Sequence, residues 1–217
     1  MQARDLLATC RLYGIVDLGY VAPERAVAMA SLLLEGGIRI LQLRAKNAPK
    51  ELILDLARLL SPLCRERGAL FVMNDYPDLA AACGADAVHV GQDDGTLDSV
   101  RAVVGPDMLV GRSTHSPEQA LRAHAEGFDY IGFGPLFPTG TKPGRPAIGL
   151  EHVRSVGETL GDFPLFCIGG INGETFDEVL RAGAKRVVVV SWLLQHDDPA
   201  AAARNLIAKL GTTDSAD

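Results

Sequence analysis

Between Tyr130 and Arg145 the chain reads Tyr-Ile-Gly-Phe-Gly-Pro-Leu-Phe-Pro-Thr-Gly-Thr-Lys-Pro-Gly-Arg, an apolar start followed by hydroxyls and cations set among glycines and prolines. Glycine lets backbone N–H groups come close to a ligand, and proline limits how far a loop wanders. Hydroxyl, amide and ammonium donors together are what phosphate or diphosphate oxygens accept from. Taken alone, the same segment also reads as a solvated surface loop. It has company: Gln42-Leu-Arg-Ala-Lys46, Asn74-Asp75, Gly91-Gln-Asp-Asp94, Ser113-Thr-His115, Gly169-Gly170 and Val190-Ser191.

These runs sort by chemistry. Asp75 and Asp94 offer hard carboxylate oxygens, and Mg²⁺ takes one or two protein carboxylates and completes its shell with water and substrate phosphates. Arg44, Lys46, Asn74 and Lys142 supply positive charge and donors for a diphosphate bridged to such a metal. Gly169-Gly170 and Val190-Ser191 suit a second phosphate held by backbone N–H groups. Two anion sites imply two phosphorylated substrates, or one with two phosphate ends. Each run also has a plainer explanation. Asn74-Asp75 can cap the next helix, Asp93-Asp94 before Gly95 can be a turn, and Gln42 with Arg44 can form a buried polar layer.

What must position these residues is legible in the rhythm of the chain. Short Val-, Ile- and Leu-rich runs alternate with helical patterns: Leu12–Asp17, Ile38–Arg44, Ala69–Asn74, Ala87–Val90, Met108–Ser113, Tyr130–Phe133, Pro164–Ile168 and Arg186–Ser191. Most are continuously apolar, as parallel strands covered on both faces are. Pro49 opens a helix with Leu52, Leu56, Leu59 and Leu63 at helical spacing. Ser116 and Asp198 each precede a proline, the signature of an N-cap before the first helical residue. Glycines at 36–37, 68, 84, 105, 127 and 183 stand where helices should stop. Eight such units predict a single-domain (β/α)₈ TIM barrel over residues 1–211 with a polar tail at 212–217. The rival, a doubly wound sheet, lacks support because Val16-Asp-Leu-Gly-Tyr replaces the glycine fingerprint after the first strand. In a barrel every run above falls at a strand's carboxyl end, where such folds place their chemistry. Alternation along the second strand sets Gln42, Arg44 and Lys46 on one side.

Composition excludes several classes. The 217 residues are 47% hydrophobic and 22% charged, ordinary for a soluble domain. No apolar run approaches the ~18 residues of a membrane span. The N-terminus lacks a secretory pattern, and Cys10, Cys64, Cys83 and Cys167 are scattered, so a cytoplasmic location with reduced thiols is expected. The net charge is −6, from 21 basic and 27 acidic residues, with no basic cluster, so no nucleic-acid or membrane partner is expected. A homo-oligomer is compatible with the composition. His89, inside the fourth strand, reads as a packed or hydrogen-bonded histidine rather than a ligand.

In order along the chain, Gln42-Leu-Arg-Ala-Lys, Asn74-Asp, Val88-His-Val-Gly-Gln-Asp-Asp, Gly111-Arg-Ser-Thr-His, Gly134-Pro-Leu-Phe-Pro-Thr-Gly-Thr-Lys, Ile168-Gly-Gly-Ile and Val189-Val-Ser resemble the thiamine-phosphate synthase family. The resemblance spans about Leu12 to Ala203. It implies coupling of 4-amino-5-hydroxymethyl-2-methylpyrimidine diphosphate with a phosphoethyl thiazole, in plain or carboxylated form, to give thiamine phosphate and diphosphate. By resemblance Asp75 and Asp94 hold Mg²⁺, and Arg44, Lys46, Asn74 and Lys142 meet the diphosphate. Gln42 shares that pocket, Ser113 sits beside the pyrimidine, and Thr139, Thr141, Gly170, Val190 and Ser191 form the thiazole-phosphate site. Arg44, Lys46, Ser113 and Lys142 carry catalysis, with the strand-six loop as a lid. Gly140 and Trp192 depart from the pattern, the latter expected to pack rather than crowd the thiazole phosphate. The alternatives are a thiazole tautomerase of the same fold using His115, a non-catalytic phosphate-binding barrel, or a sugar-phosphate or indole-forming barrel sharing only the glycine site.

Overall fold

The computed structural model describes residues 3–139 and 146–212. Among them, eight parallel strands close into a barrel in sequence order: β1 (Leu12–Asp17), β2 (Ile40–Arg44), β3 (Leu70–Asn74), β4 (Ala87–Val90), β5 (Leu109–Thr114), β6 (Tyr130–Phe133), β7 (Leu165–Cys167) and β8 (Val187–Val189). β8 returns to β1 through Leu12 opposite Val187, which seals the ring. Nearly every strand residue is buried, since one face meets the barrel interior and the other the helices. The continuous apolar runs therefore carried the right meaning.

The helices are α1 (Ala3–Thr9), α2 (Ala26–Glu35), α3 (Lys50–Glu66), α4 (Pro77–Cys83), α5 (Leu97–Val104), α6 (Pro117–Glu126), α7 (Val153–Leu160), α8 (Phe176–Arg181), α9 (Ser191–Leu194) and α10 (Pro199–Thr212). The expected caps form: Ser116 Oγ accepts from Gln119 N at 3.3 Å, and Asp198 Oδ1 from Ala201 N at 2.9 Å. Gly84 and Gly127 end α4 and α6 in the left-handed region at φ 64° and 91°, which a side chain would strain. α10 runs through Thr212, the first residue of the expected tail, and residues 213–217 lie outside the described residues.

Two expectations are corrected. On α3 the buried stripe is Ile53, Leu56, Ala57, Leu60 and Cys64, while Leu59 is 57% exposed. Both stripes have helical spacing, and only docking on the barrel chooses between faces a quarter-turn apart. The eighth strand ends at Val189, and Ser191 begins the short helix α9, so its backbone serves a helix start instead of a sheet edge.

Candidate active site

The carboxyl ends of the strands surround a cavity of about 890 Å³, open mouth included. Gln42, Arg44, Asn74, Ser113, Thr139, Gly170, Val190 and Ser191 all line it, as does His115. Eight predicted site residues, from six strand ends, thus meet at one place. Thr141 and Lys142, with Gly140 between them and Thr139, lie outside the described residues. Lys46, Asp75 and Asp94 do not line the cavity and stand at its periphery on loops beyond the strands.

The floor is neutral and tightly bonded. Gln42 Nε2 donates to the Tyr13 hydroxyl at 2.7 Å, and the Tyr13 and Tyr130 hydroxyls lie 3.5 Å apart. The Tyr13 oxygen has two lone pairs and so can accept from both Gln42 and Tyr130. Burial pushes the Tyr13 phenol up, only partly offset by these two hydrogen bonds, and burial followed by the neighbouring Tyr13 pushes Tyr130 up further. Both stay protonated near neutral pH. Phe166 packs edge-on to both rings. Beside them His89 Nε2 lies 2.9 Å from Ser113 Oγ, so His89 is hydrogen-bonded as expected, yet it also forms cavity wall. A Cβ on Gly111 would strike the Tyr130 ring within 2.5 Å, so glycine is required there for the tyrosine to fit.

Charge enters one layer higher. Arg44 donates to Asp17 Oδ2 at 2.7 Å, with the side chains 10% and 2% exposed. The other carboxylate oxygen of Asp17 accepts from Gly19 N at 2.9 Å. The two residues are register partners on β1 and β2. Sequence reasoning missed Asp17, along with Tyr13 and Tyr130. The available signal was a carboxylate closing an otherwise apolar strand, on the same side as Tyr13 and Ile15 by alternation.

The periphery corrects the expected alternation. β2 stops at Arg44, so the alternation of the second strand does not extend to Lys46. Its side chain, 56% exposed, brings Nζ to 3.8 Å from Asp75 Oδ2 instead. Asp75 leaves β3 with φ 64°, a left-handed conformation sparsely populated by residues with a Cβ and found at functional turns. Its N–H donates to His89 O at 2.9 Å, tying the β3 end to β4. Tyr76 rather than Asp75 occupies the N-cap position of α4. Asp94 Oδ2 accepts from Gly91 N at 2.6 Å, so the turn reading holds for one of its two oxygens.

At β7, Gly169 and Gly170 adopt φ 100° and 67°. A Cβ on Gly170 would lie 2.6 Å from Phe137 Cβ, so the segment after β6 presses directly on this glycine pair. Trp192 stays out of the cavity and packs over Gly173 and edge-on to His196 at 5.0 Å.

A closed parallel barrel with a bonded neutral floor and a charged mouth defines a barrel enzyme for small molecules. Comparison with known proteins narrows the class: the chain belongs to the thiamine monophosphate synthase family, whose sequence model matches residues 12–193. It is 50% identical to the thiamine-phosphate synthase of Thermus thermophilus over 187 residues, 86% of each chain. It is 43% identical to that of Acidothermus cellulolyticus over 205 residues, 94% of this chain and 96% of the relative. The solved thiamine phosphate pyrophosphorylase from Pyrococcus furiosus superimposes with a TM-score of 0.85 at 34% identity, covering 97% of this chain and 98% of that one. No helix among the described residues is long and apolar enough to cross a membrane.

Proposed function

We propose that the protein is a thiamine-phosphate synthase, joining a pyrimidinylmethyl diphosphate to a thiazole phosphate with release of diphosphate. The observation that carries this reading, beside the family membership, is the division of one cavity into a neutral hydrogen-bonding floor and a charged mouth. A planar aminopyrimidine is met by Gln42, Ser113 and the aromatic floor, and its diphosphate by Arg44, Asn74 and, at the rim, Lys46 and Lys142. The thiazole phosphate falls to Thr139, Thr141, Gly170, Val190 and Ser191.

The donor set fits Mg²⁺. Asp75 and Asp94 are hard oxygen ligands at neighbouring strand ends, and no group of three or more His, Cys, Asp or Glu gathers among the described residues. Two carboxylates are the protein share that Mg²⁺ takes when water and phosphate complete its shell. Bound there, the ion would neutralise charge developing on the departing diphosphate.

The side chains then have little acid–base work. Arg44, held by Asp17, and Lys46 and Lys142 stabilise the leaving diphosphate as its bond to the methylene carbon breaks. The cationic carbon left behind is stabilised by its own aminopyrimidine, and the thiazole nitrogen attacks it in line. The floor orients the ring and keeps water from that carbon. We place the enzyme in the cytoplasm, with no nucleic-acid partner.

Incubating the purified protein with both substrates and Mg²⁺ should yield thiamine phosphate and diphosphate in equal amounts, and neither when one substrate is omitted. Because His115 lines the cavity, isomerisation of the thiazole phosphate without coupling is the competing outcome and would replace this reading with a tautomerase.

A further inference from the structure

Arg112 is a buried arginine that the proposed chemistry does not use. It lies on β5 between Gly111 and the cavity-lining Ser113, so alternation turns it to the outer face of the barrel, and it is 9% exposed. Its guanidinium donates to Gly95 O at 2.6 Å and Gln92 O at 2.9 Å, and its carbon sits 5.2 Å from the Phe128 ring centroid. No carboxylate among the described residues forms an ion pair with it. Burying a guanidinium without a counter-charge is costly, so a role beyond filling space is indicated.

The two carbonyls it grips bracket Asp93 and Asp94. The turn has modest bonding of its own: Gly91 N to Asp94 Oδ2 at 2.6 Å and Asp94 N to Gly91 O at 3.3 Å. Its inner edge is tied to β5 by Gln92 Nε2, which donates to Ser113 O at 2.6 Å. The outer edge is held by Arg112. A planar fork can bridge two carbonyls at once, which a lysine ammonium on its flexible stem cannot do in fixed geometry.

We propose that Arg112 is a positioning residue that locks the β4–α5 turn so that Asp94 is presented in the geometry a divalent cation requires. The inference rests on the reading of Asp75 and Asp94 as cation ligands. When a turn is competent for only part of the time, apparent affinity falls by that fraction. The signature is thus a raised metal requirement with an unaltered chemical step.

The test uses the full chain with Arg112→Lys and Arg112→Met. Mg²⁺ is titrated by calorimetry in the presence of inorganic diphosphate, amide hydrogen exchange is followed at residues 91–96, and coupling is assayed across Mg²⁺ concentrations. The expected result for Arg112→Lys is an Mg²⁺ half-saturation raised about tenfold, equivalent to about 1.4 kcal/mol. Exchange in the turn should be faster, and kcat at saturating Mg²⁺ should stay within about twofold of the parent, since the chemical step is untouched. Arg112→Met should act in the same direction although it removes a positive charge near a cation site. Unchanged half-saturation with only a lower Tm overturns the proposal, as does an equal fall in kcat at every Mg²⁺ concentration. Failure of both variants to fold makes Arg112 a folding residue and overturns it too. If the parent binds no Mg²⁺ and needs none, the metal reading itself falls and takes this inference with it.

Discussion

The floor of the cavity and its rim are built by opposite means. On the floor, Tyr13, Gln42, Tyr130, His89 and Ser113 project from five strands and bond to one another, so their positions are set by the sheet. At the rim, Lys46, Asp75 and Asp94 stand on loops past the strand ends, where Lys46 reaches Asp75 from one loop to the next and Asp94 accepts from its own turn. A flat neutral ring is best recognised by fixed hydrogen-bonding groups in a dry site. Diphosphate, and the cation proposed to accompany it, would need charges that are hydrated before binding, because dehydrated unpaired charges destabilise an empty protein. Arg44 joins the two regions: it faces the cavity yet is buried, and it is tolerated there because Asp17 is paired with it.

The comparison can be broken at several points. Removing divalent cations strikes the rim alone. Chelation with EDTA should lower coupling by about a thousandfold or more, the scale of losing an electrostatic stabiliser of the transition state, without lowering Tm by more than a few degrees. Full activity in chelator, with metal removal verified, would show that the rim carboxylates serve something else.

Arg44 and Lys46 provide the sharper contrast. Either change to Ala should cost roughly a hundredfold in kcat/KM. Arg44→Ala should in addition cost about 3–5 kcal/mol of stability, because the Asp17 carboxylate is left buried without its partner. Lys46→Ala should stay within about 0.5 kcal/mol, as exposed substitutions do. Urea unfolding of the two variants side by side measures this, and equal stabilities would erase the distinction between floor and rim.

A smaller effect is expected from Tyr13→Phe. The Gln42 N–H would lose its acceptor inside the barrel, at about 1–3 kcal/mol. The KM for the pyrimidine diphosphate should rise while that for the thiazole phosphate holds, which initial-rate kinetics with each substrate varied will show. His115→Ala should cost less than the ~100-fold minimum typical of a lost general acid or base, and a larger loss with folding intact would favour proton transfer at this residue.

The smallest effect concerns thiols. Burial pushes Cys64 and Cys167 up to about 12, so at pH 8 both are almost entirely neutral and unreactive. Dithionitrobenzoate should leave these two unmodified in the native protein and reach all four cysteines in denaturant. Rapid native modification of four would contradict the packed barrel.

Much of this was legible in the sequence, for reasons that are local. Apolar runs of strand length, Ser116 and Asp198 before prolines, and glycines after helices report on bonds within a few residues, so fold class and most strand limits followed from neighbours. The strand-end runs containing Gln42, Arg44, Asn74, Ser113 and Gly170 were visible because polar groups at the ends of apolar strands are conspicuous. Closure of the barrel decided the rest. The pairing of Asp17 with Arg44, the docking of Lys46 on Asp75, the outward route of Arg112 to the Asp94 turn and the face that α3 buries all depend on register between strands or packing between layers. Groups 17 to 29 residues apart in the chain meet only when the sheet is wound, and a periodicity that several faces satisfy equally becomes one choice only when a surface is there to cover it.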